Sequence, residues 1–190
     1  KTEKIIYNGL ILEGKLGESL EMEEKAGTPL YAEAKVIAAD RLMQSEEYAE
    51  QSDPHLWMDP ILWIDVATGV RDALAEIDPE HPETFRDNHA AYTEKIKELD
   101  AYAERVLGSV SESARVIVSA HDAFNYFGAR FGYEVLGIQG MSTESEAGLA
   151  DIERLVNLLV DRGVGAVFVE STVSQKNVSA LIEGTNARGH

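Results

Sequence analysis

The chain has 190 residues, 44% of them hydrophobic, so it is long enough for one large domain or two small ones with a hydrophobic core. Its 17 basic and 34 acidic residues give a formal charge of −17, which disfavours nucleic acid and anionic membranes as partners and favours cations, although acidity also serves solubility alone. Cysteine is absent, which excludes disulfides, thiolate zinc sites and iron–sulfur clusters, so imidazole and carboxylate would have to hold any metal. No apolar run approaches the roughly 20 residues that a transmembrane helix requires.

The first part of the chain predicts strands and helices in alternation, with weak patterning. Lys4–Tyr7 is typical of a strand and Leu10–Leu20 of a helix, despite its glycines. Thr28–Ala34 is ambiguous and is most simply the next strand. Because the sequence opens close to a strand and stops shortly after a helix, we expect both ends to lie inside a longer protein.

Two helices are predicted in the middle of the chain. The first begins at Pro60, a favoured first-turn position, with Asp59 as its N-cap, and runs to about Ile77. Its apolar stripe comprises Trp63, Val66, Val70 and Leu74. The second covers residues 82–107, about 25 residues or roughly 38 Å, which is longer than a small domain needs and suits a connector of two lobes. Its apolar positions are Phe85, Tyr92, Ile96, Leu99, Tyr102 and Val106.

From Arg115 onward, strands and helices alternate, which predicts a parallel sheet covered by helices. The strands are expected at Arg115–Ser119, Tyr133–Ile138 and Val164–Val169. The last of these is continuously apolar, as is typical of a strand buried on both faces.

Three helices are expected in the same region. One follows His121, and one runs from Leu149 to Gly163 behind a polar loop whose Ser142 or Thr143 is the N-cap. The last covers Ser174–Ile182, with Gly184 as its end.

His55 and His121 are the two histidines that stand on loops at the ends of predicted elements. His55 precedes the helix that begins at Pro60, on an exposed loop of the kind that presents ligands well. His121 follows a strand, at the carboxyl edge where open α/β sheets bind their ligands. Two imidazoles suit zinc or manganese, but such an ion needs three or four ligands. Their spacing is equally compatible with histidines that cap or pack locally.

Several other polar residues have competing interpretations. Asp122 could support the ring of His121 or cap the following helix, and capping is the simpler role. Glu170 ends the apolar strand and is either a site residue or an anchor for the loop behind it. His81 and His89 are eight residues apart, too far along a helix for one site, and are interpreted as solvated or packing residues.

Enzyme signatures are absent from the sequence. It contains no GxSxG, no HExxH, no Walker A loop and no GxGxxG, and no serine has a histidine partner by motif. We therefore predict that the chain is not an enzyme.

Five short motifs stand in a fixed order along the chain. They are Tyr7-Asn-Gly-Leu10, Asp53-Pro-His-Leu-Trp-Met-Asp59, Ser119-Ala-His-Asp-Ala-Phe-Asn-Tyr-Phe127, Gly137-Ile-Gln-Gly140 and Phe168-Val-Glu-Ser-Thr172. Together they resemble the TroA-like family of zinc- and manganese-binding solute receptors of bacterial ABC importers, over essentially the whole chain.

This resemblance implies an α/β fold with two parallel-sheet lobes, covered by helices and joined by one long helix. The implied division is an N-terminal lobe at 1–78, a connecting helix at 79–108 and a C-terminal lobe at 109–190, both lobes being incomplete. The family binds one metal ion between the lobes through three histidines and an aspartate, or with carboxylate substitutions.

Two of those ligands have counterparts here. His55 matches the second histidine, and His121 matches the third ligand, which is glutamate in some manganese-binding members. The first histidine would precede Lys1 and the aspartate would follow His190, so the chain is expected to hold two of four ligands. Glu170 matches a glutamate near the site and is expected to support the ligands or the fold.

The implied function is high-affinity capture of Zn²⁺ or Mn²⁺ and its delivery to an ABC permease. The implied setting is the periplasm or a cell-surface lipoprotein, and we expect a monomer that binds no nucleic acid. One alternative is an adhesin or interaction domain with a structural or vestigial metal site, which predicts an exposed apolar patch. The other is a metallo-hydrolase that uses the same histidines.

Overall fold

The computed structural model of the chain describes residues 3–45, 51–141, 148–171 and 174–189. It divides into two compact units. The first comprises Lys1–Gln44 and Tyr48–Arg105, and the second comprises Ser45–Glu47 and Val106–His190. Both units contain a parallel pair of strands with helices, which is the α/β arrangement that the sequence predicts.

The first unit opens with two short parallel strands, β1 (Ile5–Tyr7) and β2 (Leu30–Ala32), both of which the sequence predicts. A 3₁₀ turn at Gly14–Leu16 and helix α1 (Gly17–Lys25) lie between them. The prediction of a helix from Leu10 was therefore wrong in its first half. Leu10 and Ile11 have φ of 51° and 64°, left-handed values that a right-handed helix cannot contain.

Helix α2 (Pro60–Ile77) begins as predicted, because the Asp59 carboxylate accepts hydrogen bonds from the Ile61 and Leu62 N–H groups at 2.8 and 3.4 Å. Its buried face comprises Leu62, Val66, Gly69 and Ala73. Of the predicted stripe, Val66 is buried, and Trp63, Val70 and Leu74 are partly buried. The position of the fully buried face has a physical reason. A Cβ at Gly69 would lie 2.3 Å from the Tyr31 hydroxyl, so the face that packs closest is the one with small side chains.

Helix α3 (Pro82–Leu107) has the predicted bounds. A hydrogen bond of 2.9 Å between Thr68 Oγ1 and His89 Nε2 ties it to α2. Ile96 and Asp100 are buried, whereas several predicted apolar positions are exposed: Tyr92, Leu99, Tyr102 and Val106. Within the described ranges, no helix combines the length and the apolar composition that crossing a membrane requires.

The second unit is built on strands β3 (Val116–His121) and β4 (Glu134–Gln139), which pair in parallel with Val118 opposite Leu136. Helix α4 (Asn125–Phe131) lies between them in sequence. His121 is the last residue of β3, so its predicted place at the carboxyl end of a strand is confirmed.

Helices α5 (Leu149–Arg162) and α6 (Lys176–Ala187) pack against β3 and β4 to form the core of this unit. The core residues are Val118, Ala120, Ile138, Ile152, Leu155, Val156, Leu159, Val178 and Leu181. Gly163 ends α5 with a φ of 63°, as predicted, and Gly148 occupies its N-cap position. The N-caps predicted at Ser142 and Thr143 lie outside the described residues.

The prediction that Gly184 ends the last helix was wrong, because α6 continues to Ala187. A Cβ at Gly184 would lie 2.7 Å from Val156 Cγ2, so this glycine allows α6 to approach α5 closely. Gly184 therefore serves the packing of α6 against α5 and does not end the helix.

The apolar run at 164–169 was predicted to be a buried strand, and this was wrong in part. It joins β3 at a single parallel bridge, in which the Phe168 N–H donates to the Val118 carbonyl at 2.7 Å. Phe168 and Val169 are 53% and 58% exposed. Among the described residues β3 is its one bridging partner, so the run lacks the regular ladder that a continuously apolar sequence predicts.

Replacing Leu155 tests the core of the second unit. Its side chain is 0% exposed, so Leu155→Ala should lower the free energy of unfolding by about 2–5 kcal/mol through lost burial and a cavity. Leu149→Ala is the matched control on the same helix, because Leu149 is 88% exposed and its loss should cost no more than about 0.5 kcal/mol. Urea denaturation measures both, and equal losses would contradict the assigned core.

Candidate metal centre

A short, well-anchored segment carries His55. The Asp53 N–H donates to the Met43 carbonyl at 2.8 Å, and the Asn8 side-chain amide donates to the Pro54 carbonyl at 3.2 Å. A 3₁₀ turn follows at Leu56–Met58. His55 itself is only 4% exposed, so the expectation of an exposed loop was wrong. The backbone of the segment is nevertheless fixed, as a ligand-bearing loop requires.

The carboxylate of Asp53 holds both the backbone and the ring of His55. Its Oδ1 accepts a hydrogen bond from the His55 N–H at 2.9 Å and lies 2.7 Å from the ring Nδ1. Asp53 is 1% exposed, so water does not compete for these contacts. A neutral imidazole that donates from Nδ1 carries its lone pair on Nε2, the form in which Nε2 can coordinate a metal ion.

Asp53 was not among the predicted site residues. Its signal was the Asp-Pro-His order, since an aspartate commonly accepts a hydrogen bond from the backbone two residues later. That local contact places the carboxylate beside the histidine ring as well.

A carboxylate from a distant part of the chain also lies against the ring of His121. Glu170 Oε1 accepts a hydrogen bond from the His121 N–H at 3.2 Å, and its Oε2 lies 2.7 Å from the ring Nδ1. The His121 carbonyl accepts a bond of 2.9 Å from the Ser119 hydroxyl. The structure thus brings together two of the candidate residues, His121 and Glu170, within the second unit.

Asp122 has a different role from the predicted cap. Helix α4 has Phe124 at its N-cap position, two residues later, so the prediction of an N-cap at Asp122 was wrong. The Asp122 N–H donates to the Gln139 carbonyl at 3.1 Å, which joins the turn after β3 to the end of β4. A Cβ at Gly137 would lie 2.7 Å from the Asp122 nitrogen, so the glycine permits this approach.

The other described histidines make local contacts. His81 Nδ1 lies 3.0 Å from both carboxylate oxygens of Asp78, in an exposed pair. His89 bonds to Thr68, as noted above. Across the described ranges, no group of three or more histidine, aspartate or glutamate side chains forms a metal-binding cluster.

A cavity of about 930 Å³ lies in the second unit, beside the candidate residues. Its walls are mostly apolar and include Ile117, Phe127 and Val169, with Glu170 at the wall as a charged group. Arg162 is a second charged group of this lining. The mostly apolar wall is not that of a metal site, and Glu170 is the only candidate site residue that lines it.

Two groups of the first unit have shifted pKa values. Partial burial, and secondarily the charge of Glu13, raise the pKa of the Glu33 carboxyl above its ordinary value. Burial also raises the pKa of the Tyr31 hydroxyl, with further contributions from the Asp72, Glu33 and Glu76 carboxylates. Both shifts are due first to burial and secondarily to the acidic groups around β2.

Comparison with known proteins places these features in a family. The family model described as zinc-uptake complex component A, periplasmic, matches residues 1–189. The chain belongs to this family. The predicted resemblance to the zinc and manganese receptors of ABC importers is thereby confirmed.

Relatives with solved or curated descriptions agree. The manganese-binding lipoprotein MntA of Bacillus subtilis is 38% identical over 188 residues, which are 98% of this chain and 60% of the relative. The zinc-binding protein TroA of Treponema pallidum is 38% identical over 186 residues, 98% of this chain and 59% of the relative. The chain thus spans about three fifths of these relatives.

The solved structure of the periplasmic zinc-binding protein TroA from Treponema pallidum has a TM-score of 0.93 at 37% identity, covering 99% of this chain and 67% of that one. This match confirms the predicted fold class. A laminin-binding protein of Streptococcus agalactiae, described as having adhesin and metal-transporting activity, has a TM-score of 0.84 at 24% identity, covering 97% of this chain and 67% of that one. At that identity the likeness shows the fold alone.

Gly137→Ala tests the close approach of β4 to the turn after β3. The added Cβ would lie 2.7 Å from the backbone of Asp122 and of Gln139, so β4 and the turn after β3 must move apart. We therefore expect the free energy of unfolding to fall by about 1–3 kcal/mol. Gly165→Ala is the control, because nothing lies within 4 Å of its Cβ position, and its effect should stay within about 1 kcal/mol. Denaturant titration compares the two, and an unchanged Gly137→Ala variant would show that the contact is loose.

Glu33→Gln tests the raised pKa of the Glu33 carboxyl near β2. Because the folded-state pKa of Glu33 is raised, its stabilising contribution is complete below the unfolded-state pKa and is lost as pH rises through the folded-state value. The Gln variant should therefore be more stable than the parent at about pH 7, and the difference should shrink towards about pH 4. Urea denaturation at both pH values, with exposed Glu24→Gln as control, measures this, and a difference that grows on acidification would show the opposite shift.

Proposed function

We propose that this chain belongs to a receptor that captures a zinc or manganese ion and delivers it to an ABC permease. His55 and His121 are the proposed ligands. The observation that carries the proposal is the paired environment of these histidines: each ring nitrogen Nδ1 lies 2.7 Å from a carboxylate that also accepts the backbone N–H of the same histidine. Metal-binding histidines commonly have such a carboxylate at the second ring nitrogen.

The donor chemistry supports zinc or manganese as the cargo. Imidazole nitrogen suits zinc, and manganese accepts nitrogen together with oxygen ligands. The relatives named for zinc and for manganese are equally similar to this chain, at 38% identity each, so both ions belong to the proposal.

The cellular setting follows the family. The family description names the periplasm and the Bacillus subtilis relative is a lipoprotein, so we propose a periplasmic or surface-anchored protein. The formal charge of −17 favours a cation over nucleic acid as partner, and we propose a monomer.

Neither alternative function has comparable support. The adhesin reading is supported by the exposed Phe168 and Val169, but the matching laminin-binding protein shares only the fold. Two observations oppose a metallo-hydrolase. The family consists of transport receptors, and the sequence contains none of the hydrolase motifs named above. We propose that the chain performs no catalysis, and turnover by the zinc-loaded protein in a hydrolase screen would contradict this.

Alanine substitution of the proposed ligands tests the function. In the complete protein, His55→Ala and His121→Ala should each weaken zinc and manganese binding by more than the roughly 10–100-fold that loss of a supporting carboxylate causes. Competition titration against a chromophoric chelator measures the affinity, and mass spectrometry measures bound metal. His81→Ala is the matched control, because that ring pairs with a carboxylate at the surface and should not affect binding. If both ligand variants bound metal like the parent, the proposal would fail.

A further inference from the structure

We infer that Asp53 and Glu170 are positioning residues for metal binding, each of which fixes one imidazole with Nδ1 protonated and Nε2 presented to the ion. The inference rests on the proposed function and names the groups that prepare its ligands. Asp53 has no other assigned role, and Glu170 had two open interpretations.

Asp53 restrains His55 at two points with one oxygen atom. The backbone N–H and the ring Nδ1 both meet Oδ1, at 2.9 and 2.7 Å. A contact to the backbone and a contact to the ring of the same residue together restrict both side-chain torsions of the histidine. Because both residues are almost fully buried, this geometry is not weakened by exchange with water.

Glu170 contacts the backbone and the ring of His121 with its two oxygen atoms. Oε1 receives the backbone N–H at 3.2 Å, and Oε2 lies 2.7 Å from Nδ1. Glu170 directly follows the run at 164–169, whose Phe168 is bridged to β3. The carboxylate is therefore delivered by a neighbouring segment of the sheet rather than by the loop that bears the histidine.

A purely structural role does not account for both contacts. An aspartate that stabilises its own turn explains the bond to a backbone N–H two residues later, and this would suffice for Asp53 alone. Glu170 is 49 residues from His121, so turn chemistry cannot explain the same pairing there. The feature common to both units is a carboxylate against Nδ1 of a proposed ligand.

The chemical consequence is a prepared donor atom. In a neutral imidazole, the nitrogen that donates a proton to a carboxylate cannot bind a metal, and the lone pair remains on the other nitrogen. A carboxylate at Nδ1 also fixes the orientation of the ring. Each ring then needs no tautomer exchange or rotation when the ion arrives.

The first test uses the metal-free protein. Long-range ¹H–¹⁵N correlation spectra of ¹⁵N-histidine-labelled complete protein at mildly alkaline pH report the tautomer of each ring. We expect His55 and His121 to carry the proton on Nδ1 in the parent, and His55 to lose this fixed state in Asp53→Ala. A parent spectrum with the proton mainly on Nε2 of either ring would overturn the inference for that histidine, whatever the protein's metal affinity.

The second test measures affinity with graded substitutions. Asp53→Asn and Glu170→Gln keep the shape and an acceptor oxygen but remove the charge, whereas Asp53→Ala and Glu170→Ala remove the acceptor. Zinc binding should weaken in the order parent, amide variant, alanine variant, with a loss of roughly 10–100-fold for alanine. Asp78→Asn is the matched control, because it alters the exposed His81 pair and should leave affinity unchanged.

The outcomes separate positioning from folding and from the proposed function. Weaker binding with an altered tautomer, in alanine variants that unfold at the parent's denaturant midpoint, supports positioning. Alanine variants that bind zinc more weakly with an unchanged tautomer overturn it, because the carboxylates would then be structural. If the parent shows the expected tautomers but binds neither zinc nor manganese, the proposed function fails and with it the metal-directed role of both residues.

Discussion

Contact between a carboxylate and an imidazole is the constraint on which both candidate ligands depend, and at His55 both groups are buried. A buried carboxylate is costly unless donors surround it, and a buried imidazole is costly unless its polar nitrogens have partners. Asp53 and His55 satisfy each other, and the Asp53 backbone is fixed in turn by the Met43 carbonyl. The pair is stable as a unit, whereas removal of either member would leave a buried polar group without its main partner.

The same constraint joins distant parts of the second unit. Glu170 reaches His121 because the run before it is bridged to β3 at Phe168, close to the core residue Val118. The parallel register places His121 opposite Gln139, and the missing side chain of Gly137 lets the next turn approach β4. Strand pairing, a glycine contact and one carboxylate therefore jointly determine where this imidazole stands.

Local signals predicted much of this arrangement, and contacts between distant segments account for most of the errors. The position of His121 could be predicted because a short β-branched run is a strong strand signal, and Asp59 could be predicted as a cap because the Asp-Pro pair is local. Gly184 was misassigned because its reason is Val156 on another helix. The Asp-Pro-His order signals the contact of Asp53 with the His55 backbone, but not its contact with the ring. The pairing of Glu170 with His121 spans 49 residues and has no local sequence signal.

The contacts that orient the two histidines differ in how firmly the surrounding structure holds them. The orientation of His55 depends on three consecutive residues and on anchors from Met43 and Asn8. That of His121 depends on a segment joined to β3 at one bridge and followed by an exposed Val169. Segments with few ladder bonds and exposed apolar groups open at lower free energy than core strands. The Glu170 contact is therefore the weaker of the two, and any packing that covers the apolar run at 164–169 would also stabilise the ligand-bearing end of β3.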